Sequence, residues 1–394
     1  MSQPTSSKNT TLTLWALLFG NFIIGTGVLL PAGLLNDISA DFKQSQAVTA
    51  DLLFYGGLIV GFGAPILAGL TSRVDRRILL TLSLMVFGLG HVASAFAPMF
   101  DMQLVIRALT VVGAAVFTPQ AASTVGLLVP TEKRAGAIAF IFIGWSAASV
   151  AGIPLGTYLS TYLGWRIVYG AMGLLCLVAA STVRLTLRPK LFVTPLSFAA
   201  WKQALTTPLL WVVYLVTLCS MAAQFAMFGY IAPILRDGFG VGVTAISAMF
   251  AVVGIAGLLG NTIASRIVGR FGIDTVIAVA LALLCFGFFG FGLSWGNLLP
   301  AYAAAALWGL GSFSSNSLQQ SRLVALAPPL AAATVALNTS VVYLGQSIGT
   351  KAGGALLLQD KMKWLPAIAL AFMLCALALS ILAHYLTRRR VSAL

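Results

Sequence analysis

Acidic side chains are scarce in this chain: nine Asp and Glu stand among 394 residues, against 23 Lys and Arg, and charged residues together make up only 8%. A soluble globule of that length cannot cover its surface with so little charge, which excludes that class. Histidine occurs twice, and the four cysteines, Cys176, Cys219, Cys285 and Cys375, each stand alone in an apolar run with no paired spacing. Neither a metal centre nor a disulfide framework is expected from such a pattern. Hydrolytic signatures are missing too: there is no H-E-x-x-H and no pair of Asp within an apolar run. The chain is therefore not expected to be an enzyme.

What the chain has in abundance is apolar length, with 59% hydrophobic residues. Apolar runs at 12–35, 50–71, 78–97, 102–129, 137–159, 167–187, 209–235, 243–264, 276–295, 299–326, 331–358 and 365–386 make twelve candidates. Each is near or above the ~20 residues that a membrane-crossing helix needs. The first run is too long for a signal-peptide core and reads as a retained span. One polar, Pro-containing connection, 188–208, divides the runs into two groups of six. The fold class read from this is an all-α integral membrane protein of twelve transmembrane helices in two pseudo-symmetric six-helix bundles, 12–187 and 209–386. Residues 1–11, 188–208 and 387–394 are then an N-terminal segment, a central loop and a C-terminal segment.

Orientation follows from basic residues. With the N-terminus inside, sixteen Lys and Arg gather at cytoplasmic ends: Lys8, Arg73, Arg76, Arg77, Lys133, Arg134, Arg184, Arg188, Lys190, Lys202, Arg266, Arg270, Arg322, Arg388, Arg389 and Arg390. Five lie opposite (Lys43, Arg166, Arg236, Lys361, Lys363), so both termini are expected in the cytoplasm. The formal net charge of +14 is thus mostly topology. Because the basic residues sit singly or in short clusters between apolar runs, no nucleic-acid partner is expected.

Within the fifth run, Gly144, Ala148, Gly152 and Gly156 recur every fourth residue, a smooth helical stripe on which another backbone can pack closely. Pro154 removes one donor there, and Ser149 is placed to re-satisfy a freed carbonyl. Gly345, Gly349 and Gly353 make the same stripe in the eleventh run, and an offset of 193 carries 152 onto 345, 156 onto 349, and Ser72-Arg73 onto Ser265-Arg266. The chain reads as a duplication, as in secondary transporters whose two bundles rock about a central site.

None of the nine acids lies deep in a run: Asp37, Asp41, Asp51, Asp101, Asp237 and Asp360 fall towards the outer side, and Asp75, Glu132 and Asp274 towards the inner side. A lipophilic cation held at midplane would lack a counter-charge. Amides and hydroxyls are there instead: Asn21, Tyr55, Gln120, Gln224, Tyr230, Asn316, Gln320, Asn338, Tyr343 and Gln346. Such groups both donate and accept, which suits a neutral polyol-like or nucleoside-like ligand, although each one singly can equally tie helix to helix.

These features resemble the major facilitator superfamily, and specifically its proton-coupled drug and bacterial arabinose-type sugar exporters. The carriers of the resemblance are the basic loop after the second span, L-x-x-R-A with Leu104 and Arg107, the Gly144 to Gly156 stretch with G-I-P-L-G, and N-T-S-V-V-Y-L-G-Q-S-I-G-T-K-A-G-G from Asn338 to Gly354. It implies a proton-coupled exporter of a small neutral polar molecule (sugar, nucleoside or amphenicol-type), monomeric in a bacterial inner membrane, its partners being protons, substrate and lipid. No cofactor is needed beyond the proton gradient. Export of anionic or cationic drugs, uncoupled facilitation, or a non-transporting receptor are the alternatives. The family's loop reads G-x-L-x-D-R-x-G-R-R, whereas 68–77 reads A-G-L-T-S-R-V-D-R-R, so Ser72 stands at the Asp position. Asp75, beside Arg73, Arg76 and Arg77, is the substitute carboxylate for that cytoplasmic latch.

Two charges lie within runs. Arg107 is expected either to pair with Asp37 or Asp101 or, from the resemblance, to serve proton coupling. Lys351 needs a partner, and Asp51 supplies one if the second and eleventh helices face each other, closing an outer gate. His91, in the third run, is read as a hydrogen-bonded packing residue with the chemistry of a proton carrier, and His384 as interfacial.

Overall fold

A computed structural model describes residues 7–188, 190–192 and 198–392, and among these the chain is helical throughout. Parts of the expected end segments and of the 188–208 loop lie outside the described residues, as do the side chains of Lys8, Glu132, Arg389 and Arg390. The first half holds span 1 (Ser7–Gly33), span 2 (Asp51–Leu70), span 3 (Arg76–Ala95), span 4 (Phe100–Leu128), span 5 (Thr131–Ala147, Ala148–Gly152 and Ile153–Leu163) and span 6 (Trp165–Thr186). The second holds span 7 (Pro208–Phe228, continued by Ile231–Pro233 and Ile234–Gly238), span 8 (Val243–Phe271), span 9 (Ile273–Leu293), span 10 (Leu298–Leu326), span 11 (Ala331–Leu357) and span 12 (Leu365–Ser392).

Among the described residues ten of these are long and apolar enough to cross a bilayer, and spans 10 and 11 qualify as a pair bent by 116°. Their 29 and 27 residues each exceed the bilayer core at ~1.5 Å rise per residue, so they are the two arms of a hairpin. What lowers their hydropathy is the polar content that the sequence singled out, including Asn316, Gln320, Asn338, Gln346 and Lys351.

Both glycine stripes pack on the first helix of their own half. A Cβ on Gly144, Gly152 or Gly156 would strike Leu18 and Phe22, Thr26 or Leu30 of span 1. On Gly345, Gly349 or Gly353 it would strike Leu218 and Met221, Ala222, or Tyr230 of span 7. The duplication therefore extends from sequence offset to packing. At Pro154 the span widens into one π turn over Ala148–Gly152, which absorbs the missing donor. Ser149 donates at 3.3 Å to the Trp145 carbonyl, one turn earlier than the carbonyl Pro154 leaves free.

The bundle has a terminal face, where both chain ends lie, and an opposite, distal face. Among the described residues four hydrogen-bonded contacts join the halves, and all are on the distal side: Gln46 to Asp237, Gln346 to the Leu53 carbonyl, Ser347 to the Phe54 carbonyl, and Lys351 to Asp51. Nearer the middle, Gly254 of span 8 lies against the Ser149 backbone. Towards the terminal face no hydrogen bond joins the halves among the described residues. The halves meet distally and part at the terminal face.

The central loop is held at both ends. Leu191 accepts from Arg76 N at 3.0 Å and donates to the Asp75 carboxylate at 3.4 Å, so it belongs to the first half. The short helix Phe198–Thr206 packs on the second, where Ala200 joins Leu210, Val213 and Leu330.

Candidate functional site

Uncharged polar chains occupy the middle of both halves. In the first, Trp145 Nε1 donates to Thr118 at 3.3 Å, Thr118 donates to Asn21 Oδ1 at 3.0 Å, and Asn21 Nδ2 donates to the Ile141 carbonyl at 3.1 Å. In the second, Ser312 donates to Gln224 Oε1 at 2.5 Å, Gln224 faces Ser220 at 3.4 Å, and Thr217 donates to Asn338 Oδ1 at 2.8 Å. Asn338 Nδ2, Asn316 Oδ1 and both amide atoms of Gln319 are buried without a partner. Amide groups of this kind can both donate to and accept from a bound molecule. Gln320 and Tyr343 are half-buried, and Tyr55 is exposed, its ring against Phe54 at 4.9 Å.

Three residues expected in this set act elsewhere. Gln120 accepts from the buried guanidinium of Arg76 at 2.6 Å. Tyr230 donates to the Thr350 carbonyl at 2.6 Å and ties span 7 to span 11 near the distal face. Gln346 reaches across to span 2. On an apolar helix, a lone polar residue reports burial, not which side it faces.

At the distal face Lys351 Nζ lies 2.8 Å from Asp51 Oδ1 and 5.1 Å from the centre of the Phe54 ring, the pairing expected between spans 2 and 11. Beneath it, Gly57 lets the backbone of span 2 sit on Tyr343 and Ser347. The Lys351 side chain is 58% exposed, which holds the ion pair to at most about 1 kcal/mol. Replacing Asp51 by Asn is accordingly expected to raise distal opening by no more than about fivefold, measured by impermeant maleimide labelling of a cysteine at Ala47.

Arg107 has no carboxylate partner. Its guanidinium donates to the Gly27 and Val28 carbonyls of span 1 at 2.9 and 2.7 Å. The reason is Pro31, which has no N–H to return to Gly27 four residues earlier. Asp37, one expected partner, accepts instead from Ser160 of span 5, and Asp101 forms no ion pair among the described residues.

The sequence profile of the Major Facilitator Superfamily matches residues 17–350. The chain belongs to that superfamily. The uncharacterized MFS-type transporter YbcL of Bacillus subtilis (strain 168) is 23% identical over 351 residues, covering 87% of this chain and 88% of that one. The crystal structure of a bacterial homolog to human lysosomal transporter, Spinster, in inward-facing and unoccupied conformation superposes with a TM-score of 0.74 at 19% identity, over 96% of this chain and 97% of that one. Its inward-facing and occupied conformation gives 0.71, also at 19% identity, over 98% of each chain. As a major facilitator, the protein is a membrane transporter and not an enzyme.

The loop between spans 2 and 3 departs from the facilitator pattern in a way the structure explains. Ser72 keeps its hydroxyl on its own helix, on the Gly69 carbonyl, while its carbonyl accepts from Arg76. Asp75 caps span 3 through Arg77 N at 3.1 Å and takes Leu191 N, so the substitute carboxylate holds the loop rather than the opposite half. Arg77 donates to the Arg184 carbonyl, and Arg73 is exposed.

In the second half of this facilitator a different cluster occupies the terminal end. Asp274 lies 3.0 Å from the buried guanidinium of Arg322 and 2.6 Å from Nδ1 of His384, which is therefore its hydrogen-bond partner and not merely interfacial. Arg322 also reaches Ser380. Asp274→Asn leaves that guanidinium without a counter-charge, and thermal unfolding in detergent is expected to register a loss of roughly 1–3 kcal/mol. Cys219 and Cys375, far apart in sequence, bring their sulfurs to 3.8 Å between spans 7 and 12.

Proposed function

We propose that this facilitator is a proton-coupled exporter of a small neutral polar molecule, working by alternating access in a bacterial inner membrane with both termini in the cytoplasm. The observation that carries the substrate class is that the central polar chains consist of amides, hydroxyls and one indole, with no carboxylate among them. A neutral ligand with several hydroxyl or amide groups fits donors and acceptors of this kind, while a cation at that depth would need a counter-charge. The sixteen-to-five distribution of basic residues supports terminal face as cytoplasmic face, and the terminal opening then corresponds to an inward-open state. The resemblance of the Gly144 to Gly156 stretch to the antiporter motif supports export against proton entry, driven by ~2.3 kcal/mol per proton for each 100 mV.

The test uses protein in proteoliposomes with a pH-sensitive dye inside, challenged with neutral sugars, nucleosides, amphenicols and cationic dyes under an imposed proton gradient. Proton flux triggered by a neutral polar compound is the expected result. Flux triggered by cations alone would sink the substrate class, and substrate movement without proton flux would make the protein an uncoupled transporter.

A further inference from the structure

Near the distal end of the first half, four side chains bury polar atoms that find no partner among the described residues: His91 Nε2, Arg107 Nε, Tyr169 Oη and both amide atoms of Gln103. All four residues are at most 2% exposed. Gln103 lies one turn nearer the distal end of span 4 than Arg107 and on the same face. The imidazole is oriented from one side, because His91 Nδ1 lies 2.8 Å from the Phe87 carbonyl. A carbonyl only accepts, so Nδ1 holds the hydrogen and Nε2 presents a lone pair. That nitrogen faces span 1 at Gly27, where a Cβ would come within 2.8 Å of it. The Gly27 carbonyl is the one that Pro31 frees and Arg107 occupies.

We infer that His91 carries the transported proton on Nε2 and that Arg107 passes its charge state to the distal gate, an inference that rests on the proton-coupled reading above. With the distal side open, water delivers a proton to the Nε2 lone pair and the buried charge rises by one. The new Nε2–H is a donor beside the Gly27 carbonyl, in competition with the guanidinium, and two cations then adjoin. Among the described residues, the ionisable groups that face His91 from the elements packed against it are Arg107 of span 4 with Tyr169 and Cys176 of span 6. None is a carboxylate that would offset the second charge. Arg107 Nε faces Gly56 of span 2 at 3.7 Å from its Cβ position, and Gly57 beside it seats Ser347 at the gate. A guanidinium displaced from span 1 therefore presses on the helix that also carries Asp51. Opening of the terminal face lets water take the proton back from Nε2, the guanidinium returns to its two carbonyls, and the distal face closes. The conformation described here, closed distally with Arg107 seated, is the deprotonated one.

The test compares the unmodified protein with His91→Gln and His91→Asn, the latter keeping a donor where Nδ1 stands. Substrate-driven proton flux and substrate counterflow are measured in proteoliposomes. A cysteine at Ala47, packed against Gly354, reports distal opening through impermeant maleimide between roughly pH 8 and pH 5. Expected are a severalfold rise in labelling with falling pH in the parent, a flat profile in both variants, and loss of proton flux with counterflow kept. Flux or a pH profile preserved in either folded variant overturns the inference alone. Absence of substrate-driven flux in the parent overturns the proton-coupled reading and the inference with it.

Discussion

Valine at position 57 is expected to hold the distal face open while leaving each half folded. A Cβ there would meet the Tyr343 carbonyl at 2.8 Å and Ser347 N at 3.4 Å, besides the Ser347 hydroxyl. The two nearest backbone atoms cannot rotate away, and the hydroxyl is already engaged with the Phe54 carbonyl. Spans 2 and 11 must separate, and because the contact joins the halves, nothing inside either half is disturbed. Overpacking of this kind opposes closure by about 1–3 kcal/mol, or roughly 5- to 150-fold in the open-to-closed ratio. That exceeds what the exposed Asp51–Lys351 pair can contribute, so shape rather than charge dominates the gate. Maleimide labelling at Ala47 is expected to rise accordingly with thermal unfolding unchanged. Labelling no faster than in the parent would count against the closed distal packing.

Methionine at position 107 is expected to abolish transport and to destabilise the first half, and a second change at Pro31 separates the two effects. Methionine fills the space but leaves the Gly27 carbonyl with no donor, since neither Pro31 nor the side chain supplies one. An unsatisfied buried acceptor costs roughly 1–3 kcal/mol. Pro31→Ala restores an N–H four residues after Gly27, so the double variant is expected to recover most of the stability and none of the transport. Thermal unfolding of the four proteins of the cycle gives the coupling energy, and additive losses would remove the link between Arg107 and the proline. Lysine at 107 cannot fork onto two carbonyls and is expected to behave like methionine in transport.

The membrane class, the helix positions and the duplication were legible because each depends on composition or a short period. A four-residue glycine stripe has only one helical face to lie on, so Gly144 to Gly156 and Gly345 to Gly353 announced close packing, although not which helix they meet. Asp51 and Lys351 met as expected because an ammonium within an apolar run draws a partner and few carboxylates exist to choose from. The carboxylate partner expected for Arg107 fails because the signal is Pro31, a proline inside a long helix that must leave a carbonyl open. Gln120, Tyr230 and Gln346 could not be told from cavity residues, since depth along a span is readable from sequence and azimuth is not. His91 Nε2 became informative only once its other nitrogen was seen to be occupied.

The anchoring of the central loop sets a mechanical limit. Leu191 is fastened to the first half and the helix beginning at Phe198 to the second, and seven peptide steps of leash connect these two anchor points. Fully stretched, that leash spans roughly 25 Å. The mouth at the terminal face can widen only until it draws taut, so its length caps the stroke and, with it, the bulk of any cargo that passes on that side.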